Sequence, residues 1–126
     1  MDAFLQAAAL VFTPTSLIYM FLGVFFGILC GAMPGLSAVM AVSILLPFTF
    51  SLDQAGIMML LGTFCGAIYG GSITAILINT PGTPGSIATS LDGYPLVMQG
   101  RAEEACYIAL LASVLGGIFG TVVLML

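Results

Sequence analysis

Residues 66–86 read GAIYGGSITAILINTPGTPGS, and this stretch decides how the chain folds. It starts as an apolar segment that can cross a bilayer as a helix, because a helix satisfies its own backbone hydrogen bonds. Pro81 and Pro84 lack an amide hydrogen and push the residues before them away from helical geometry. The helix is therefore predicted to end near Asn79. The irregular backbone of Asn79–Ser86 must be buried in protein, line a watery cavity or lie at the membrane surface.

The composition is that of an integral membrane protein. Of the 126 residues, 61% are hydrophobic and 5% are charged, whereas soluble domains average roughly 45–50% and 25%. Between Ala3 and Leu91 the only charged residue is Asp53. One arginine, no lysine and no histidine exclude the basic face that nucleic-acid binding requires. We therefore expect one membrane domain, residues 1–126, in contact with a lipid bilayer.

Three segments are predicted to span the membrane: Ser16–Met33, Gln54–Ile78, and a last segment from Glu104 or Ala105 to Leu126. The shortest would reach about 27 Å as a helix, close to the ~30 Å hydrocarbon core. Leu36–Phe50 is too short to cross comfortably and is typical of a re-entrant half-helix. The predicted fold is therefore all-α and polytopic, with about three transmembrane helices, one re-entrant half-helix and Pro/Gly-broken helices.

Smaller signals place the helix ends. Met1–Thr15 is predicted to be an interfacial lead-in, with Thr15 or Ser16 as the cap of the next helix. Asp53 is predicted to cap the helix that follows it, with an ion-binding role as the alternative. Residues 92–95, Asp-Gly-Tyr-Pro, predict a turn. Arg101, the only basic residue, favours a cytoplasmic position for residues 92–104.

Glycines recur at every fourth position in three segments: 23, 27, 31 and 35; 62, 66 and 70; and 116 and 120. Four residues are slightly more than one helical turn, so each set forms a narrow stripe on one helix face. Small residues at this spacing let another helix approach closely. Close approach of a backbone to a ligand is the alternative that the stripes leave open.

Enzymatic chemistry finds no support in the sequence. No nucleophile–base pair can be assembled, and the ligands for a zinc-type metal site are missing. The three cysteines, which are widely spaced in apolar runs, are interpreted as small hydrophobic residues. We therefore expect neither an enzyme nor a resident cofactor.

Uncharged polar residues gather instead at two chain breaks, residues 34–37 and 79–86. In transporters, the N-termini of discontinuous helices face anionic substrates, and unwound carbonyls bind the coupling cation. The predicted substrate- or ion-binding residues are Pro34, Gly35, Ser37, Ser72, Thr74, Asn79, Thr80, Gly82 and Thr83. The alternative is that both breaks are only turns at the membrane surface.

The same residues carry a family resemblance. Residues 31–36 (GAMPGL), 46–50 (LPFTF), 69–84 (YGGSITAILINTPGTP), 92–95 (DGYP) and 100–102 (GRA) resemble the start of the large membrane subunit of tripartite tricarboxylate transporters. The similarity runs from about Gly23 to Gly117. The Asn-Thr-Pro-Gly-Thr-Pro run is the specific part, and the resemblance makes both breaks candidate transport-site motifs.

This resemblance implies a multi-pass permease of the bacterial inner membrane that takes up tricarboxylates or related carboxylates by symport with Na⁺ or H⁺. It further implies two partners, a periplasmic substrate-binding protein and a small membrane subunit. The family's large subunit is much longer, so the chain is expected to be the N-terminal part of a longer permease. The alternative is a truncated, non-transporting fragment or a structural helical bundle.

Overall fold

The computed structural model describes residues 1–126 as six helices and no strands. The helices are α1 (Asp2–Val11), α2 (Pro14–Gly31), α3 (Ala38–Thr49), α4 (Asp53–Ile78), α5 (Ser86–Met98) and α6 (Ala102–Met125). Helices α2, α4 and α6 are long and apolar enough to cross a membrane. The all-α prediction with three long spans is confirmed.

Two predicted helix caps are wrong. Helix α2 begins at Pro14 with Thr13 as its N-cap, because proline fits the first helical position, where its missing amide hydrogen has no intrahelical partner. Helix α4 has Leu52 as its N-cap, and Asp53 is its first residue with φ +45°. The Asp53 carboxylate still lies in the first turn, where a negative charge complements the helix dipole.

Helices α2 and α4 pack through interlocking glycines. The contacts join Gly23 to Met59, Gly27 to Thr63 and Gly31 to Ala67, and in return Gly62 to Met20, Gly66 to Val24 and Gly70 to Ile28. Each glycine faces a backbone carbonyl of the other helix, so an added Cβ would collide with it; at Gly70 it would lie 2.6 Å from that oxygen. Residue numbers increase together along both helices, so α2 and α4 run parallel. Except for Gly35, the first two stripes are thus confirmed as helix-packing surfaces.

The short helix α3 brings the chain back between these parallel helices. Its first turn packs Ala38 and Ala41 against Cys30 and Ala67, near the end of α2. Its last residue, Thr49, lies beside Gly56 near the start of α4. The half-helix predicted over residues 36–50 is confirmed as a short helix. A re-entrant segment would turn back to the end of α2, whereas α3 leads from the end of α2 to the start of α4. Residues 32–52 return to the level at which α2 begins, as the parallel arrangement requires.

The predicted turn at residues 92–95 is wrong, because these residues lie within α5. A tertiary contact explains the helix: Gly93 packs against Ile76 of α4 so closely that an added Cβ would lie 2.7 Å from its side chain. The chain turns instead at residues 99–101, where Gly100 has φ +78°. Helix α6 then starts at Ala102, slightly before the predicted span.

Helix α4 is central and contacts α2, α3, α5 and α6. Helix α6, in contrast, has Ala105 as its one buried residue. Nothing lies within 4 Å of the position of an added Cβ at Gly116 or Gly120. The third glycine stripe therefore packs against no other part of this chain. Gly35 is also not a packing residue, because it has φ +98° and serves the turn after α2.

Candidate functional site

The second chain break begins where the sequence predicted it. Helix α4 ends at Ile78, and its C-cap, Asn79, adopts left-handed geometry with φ 54° and ψ 31°. Asparagine is among the few residues other than glycine that adopt this region readily. The backbone amides of Asn79 and Thr80 both donate hydrogen bonds to the carbonyl of Thr74. The last turn of α4 therefore closes on itself, and the Asn79 side chain stays exposed.

Residues 79–85, which we call the Pro/Gly loop, fold back along α4. Gly82 lies against the Gly31 carbonyl and the Gly71 backbone, where an added Cβ would meet them at 3.0 and 3.2 Å. The Thr83 side chain packs on the same glycine, with its Cγ2 3.3 Å from the position of an added Cβ at Gly71. Only small residues at these positions leave room for a loop so close to two helices. The loop is therefore seated in the groove where α2 ends beside α4.

Ser86, the first residue of α5, holds the other end of the loop through hydrogen bonds to Thr83. Its hydroxyl accepts from the Thr83 amide (3.2 Å), donates to the Thr83 carbonyl (2.8 Å) and lies 3.1 Å from the Thr83 hydroxyl. Ser86 is 2% exposed. The bonds form a compact ring within a turn of only four residues. Thr83 is thereby held between Ser86 and Gly71.

We expect Ser86→Ala to loosen the Pro/Gly loop. The variant leaves the Thr83 amide without its acceptor, and an unsatisfied buried donor costs about 1–3 kcal/mol. Amide hydrogen exchange at Thr83 should therefore accelerate by about tenfold or more. Ser90→Ala is the matched control, since Ser90 is also buried in α5 but bonds only to the Ile87 carbonyl of its own helix. Equal exchange at Thr83 in both variants would contradict this role of Ser86.

The first chain break lies at the same end of the α2–α4 pair. Pro34 and Gly35 are exposed, and Ser37 caps α3 by accepting a hydrogen bond from the Met40 amide at 3.3 Å. One of the amides expected to be free at the start of α3 is thus already bonded. Because Gly82 reaches Gly31, the last residue of α2, the Pro/Gly loop and the start of the first break are brought together.

The predicted site residues fall into four positions. Gly82, Thr83 and Thr74 lie together against Gly71, and the Thr74 hydroxyl donates to the Gly71 carbonyl at 3.1 Å. A second group lies exposed near this contact: Pro34, Gly35, Asn79 and Thr80. Ser37 is part-buried and caps α3, and Ser72 lies on a different face of α4. The structure therefore brings three of the nine residues together at Gly71, and it places Ser72 on another face of α4.

Ser72 faces a cavity of about 370 Å³ between α4, α5 and α6. Three further polar residues line it, Thr89 and Asp92 from α5 and Ser113 from α6. Sequence reasoning missed all three, and the turn interpretation of residues 92–95 hid Asp92 in particular. The signal that could have found the α5 pair is their spacing of three residues, which places them on one helix face.

The electrostatics of both regions are simple because charges are so few. The only basic side chain, Arg101, donates two hydrogen bonds to the Glu104 carboxylate at 2.6 and 2.7 Å, and both residues are about half exposed. Neither chain break holds a charged side chain. An anion at the breaks would therefore meet hydroxyl groups, an amide side chain and free backbone amides, and no formal positive charge from this chain.

Comparison with known proteins gives the chain its family. A sequence model of the tripartite tricarboxylate transporter TctA family matches residues 17–126. An uncharacterized 52.8 kDa protein from the TAR-I ttuC' 3' region of Agrobacterium vitis is 42% identical over 113 residues, which are 89% of this chain and 22% of that protein. The chain thus spans about a fifth of that relative's length. No solved structure matches. The family model covers both chain breaks and every predicted site residue, and the chain belongs to the tripartite tricarboxylate transporter TctA family.

Proposed function

We propose that the chain forms part of a membrane permease subunit that takes up tricarboxylates or related carboxylates. The observation that carries this proposal is the seating of the Pro/Gly loop against the end of α2, in a chain that belongs to a tricarboxylate transporter family. Irregular backbone at membrane depth is stable only inside protein or beside a watery cavity. The loop meets that condition at Gly82 and Thr83, which lie in the helix groove, and it presents Asn79 and Thr80 on its exposed side.

In this arrangement, uncharged hydrogen-bond donors would hold the substrate. A carboxylate can accept from the Asn79 amide group, from the Thr80 hydroxyl and from backbone amides at the breaks. The Thr80 hydroxyl lies 3.2 Å from the Ile78 carbonyl and can exchange that bond for one to a ligand. With no lysine and one paired arginine in the chain, a co-bound cation, Na⁺ or H⁺, would offset the substrate charge. We therefore propose a secondary transporter driven by a cation gradient.

The family name implies a three-part system, so the permease has partner subunits. We propose that these are a periplasmic substrate-binding protein that delivers the carboxylate and a small membrane subunit. The corresponding location is a bacterial inner membrane, which the chain would cross several times. Helices α2, α4 and α6 supply the long spans for that arrangement.

Uptake by the complete system tests this proposal. Proteoliposomes that contain the permease with this chain, its small subunit and an added binding protein should accumulate a labelled tricarboxylate when an inward Na⁺ or H⁺ gradient is imposed. Omission of the binding protein, or collapse of the gradient with an ionophore, should reduce accumulation to the level of empty liposomes. Labelled sugars of similar size serve as the control. Accumulation that ignores both the gradient and the binding protein would contradict the proposal, and no accumulation would favour a structural role.

A further inference from the structure

The cavity between α4, α5 and α6 is a groove that these three helices do not close. One wall is formed by Ser72 and Ile76 of α4, and α5 adds Gly93. Ala112 and Ser113 of α6 line the groove, yet both residues are exposed. The volume of about 370 Å³ offers room for side chains from outside this chain. The fold therefore leaves a lined but open space beside its last membrane span.

Helix α6 sorts its side chains by size into two faces. A row at steps of three and four residues, which places it on one helix face, holds only small residues: Ala105, Ala109, Ala112, Gly116 and Gly120. The first three line the groove, and the two glycines continue the row beyond it. The opposite face carries large side chains: Tyr107, Leu111, Val114 and Ile118. The small-residue face is therefore an extension of the groove wall.

This chain makes its close helix contacts through small residues. Glycines join α2 to α4, Ala38 and Ala41 pack α3 on Ala67, and Gly93 packs α5 on α4. The α6 row begins in such a contact, because Ala105 is 4% exposed. Above it the contact stops: the most apolar stretch of α6 is 0% buried, against 28% in α2 and 44% in α4. The unpacked part of α6 thus continues an interface that already exists at its start.

Lipid chains are a poor match for this groove. Asp92 and Thr89 of α5 line it, and neither side chain makes a hydrogen bond within the chain. Acyl chains offer no hydrogen-bond partner, and acidic residues in membrane proteins face the protein interior or a watery cavity. Small residues also leave hollows that only a closely approaching helix backbone fills well. The large opposite face of α6 is the one suited to lipid.

We propose that a further transmembrane helix of the permease occupies this groove and lies along the small-residue face of α6. The Agrobacterium vitis relative supports such an occupant, because the match covers 22% of it and most of its length has no counterpart in this chain. The incoming helix would carry small residues on its own contact face and a hydrogen-bond donor toward Asp92. A second copy of this chain fits less well. It would bring a second Asp92 and no free basic side chain, since Arg101 is bonded to Glu104.

Photo-crosslinking in the complete permease identifies the occupant. Phe119 borders the small-residue face and is exposed, so a photoreactive phenylalanine analogue can replace it with little change in size. We expect a cross-link within one permease molecule, to a peptide outside these 126 residues. The same analogue in place of Tyr107, on the opposite face, is the control and should label lipid. A lipid adduct at position 119, or a cross-linked dimer of permease molecules, would overturn the proposal.

A packing test gives a second, independent result. Gly116→Leu should lower the thermal midpoint of the complete permease by about 5 °C, because the added side chain pushes the incoming helix away. The same change in the 126-residue chain should have no such effect, since nothing lies within 4 Å of an added Cβ there. Leucine also favours helices over glycine, so α6 itself is not weakened. Val114→Phe, which enlarges the opposite face, is the matched control for both proteins.

Two outcomes of the packing test would contradict the proposal. One is a Gly116→Leu permease as stable as the parent. The other is an equal loss of stability in the permease and in the 126-residue chain, which would place the damage within this chain. The inference rests on the groove and on family membership, not on transport. A permease that shows the expected cross-link but takes up no carboxylate would refute the proposed function alone, and one that takes up carboxylate without the cross-link would refute the docking helix alone.

Discussion

Gly27→Val is expected to separate α2 from α4 and to prevent the chain from folding. The Gly27 Cα faces the Thr63 carbonyl, and an added Cβ would also lie 2.9 Å from the Ala67 amide nitrogen. Both obstacles are backbone atoms of a packed helix, so no side chain can rotate away. Overpacking of an ordinary core costs about 1–3 kcal/mol. Here the cost should reach at least about 3 kcal/mol, because the whole interface must move apart.

A disulfide between the two helices measures this separation. Cys30 of α2 and Ala67 of α4 belong to the same buried cluster, so Ala67→Cys should form a cross-link with Cys30 under mild oxidation once Cys65 and Cys106 are replaced by alanine. Gly27→Val should abolish the cross-link and lower the yield of monodisperse protein. Gly116→Val is the control, because nothing lies within 4 Å of an added Cβ there. A cross-link that persists at full yield in Gly27→Val would show that the interface tolerates a side chain.

The sequence indicated that glycines make helix interfaces, but it could not say which helices meet or in what direction. The spacing at Gly23, Gly27 and Gly31 defines a surface and leaves its partner open. The partner follows from α3, whose return path places α4 parallel to α2 at matching heights. That path depends on a long-range contact, that of Ala38 and Ala41 with Ala67, which no local pattern contains. The ends of helices at prolines were more readily predicted, because proline acts on its own neighbours.

Local reasoning predicted correctly where α4 ends at the Pro/Gly loop, and it missed Asp92. Asn79 ends α4 as expected, since two prolines and two glycines follow within six residues. The run Asp-Gly-Tyr-Pro carries the same kind of signal, yet it is helical. The packing of Gly93 on Ile76 outweighs the weak helix propensity of this segment. Turn signals within a chain this apolar are therefore less reliable than in a soluble protein, because glycine also serves close helix packing.

Asn79→Ala in the complete transporter is expected to reduce carboxylate uptake by about 10–100-fold, the loss that one hydrogen bond to a charged group explains. The exposed Asn79 amide lies at the end of α4, beside the Thr80 hydroxyl, and can donate to a substrate carboxylate. Alanine removes that donor but also strains the left-handed backbone at φ 54°. A structural defect must therefore be distinguished from a binding defect.

Asn79→Gly makes that distinction, because glycine adopts left-handed geometry without strain and carries no amide side chain. If Asn79 binds substrate, the glycine and alanine variants should lose uptake equally, while membrane insertion, measured by protease protection, stays normal in both. If Asn79 only ends the helix, glycine should keep uptake and alanine should lose insertion and uptake together. A rise in the substrate concentration for half-maximal uptake, in both variants, would place the loss in binding. The backbone of the Pro/Gly loop and the side chain that it presents would then have separate roles, one in folding and one in transport.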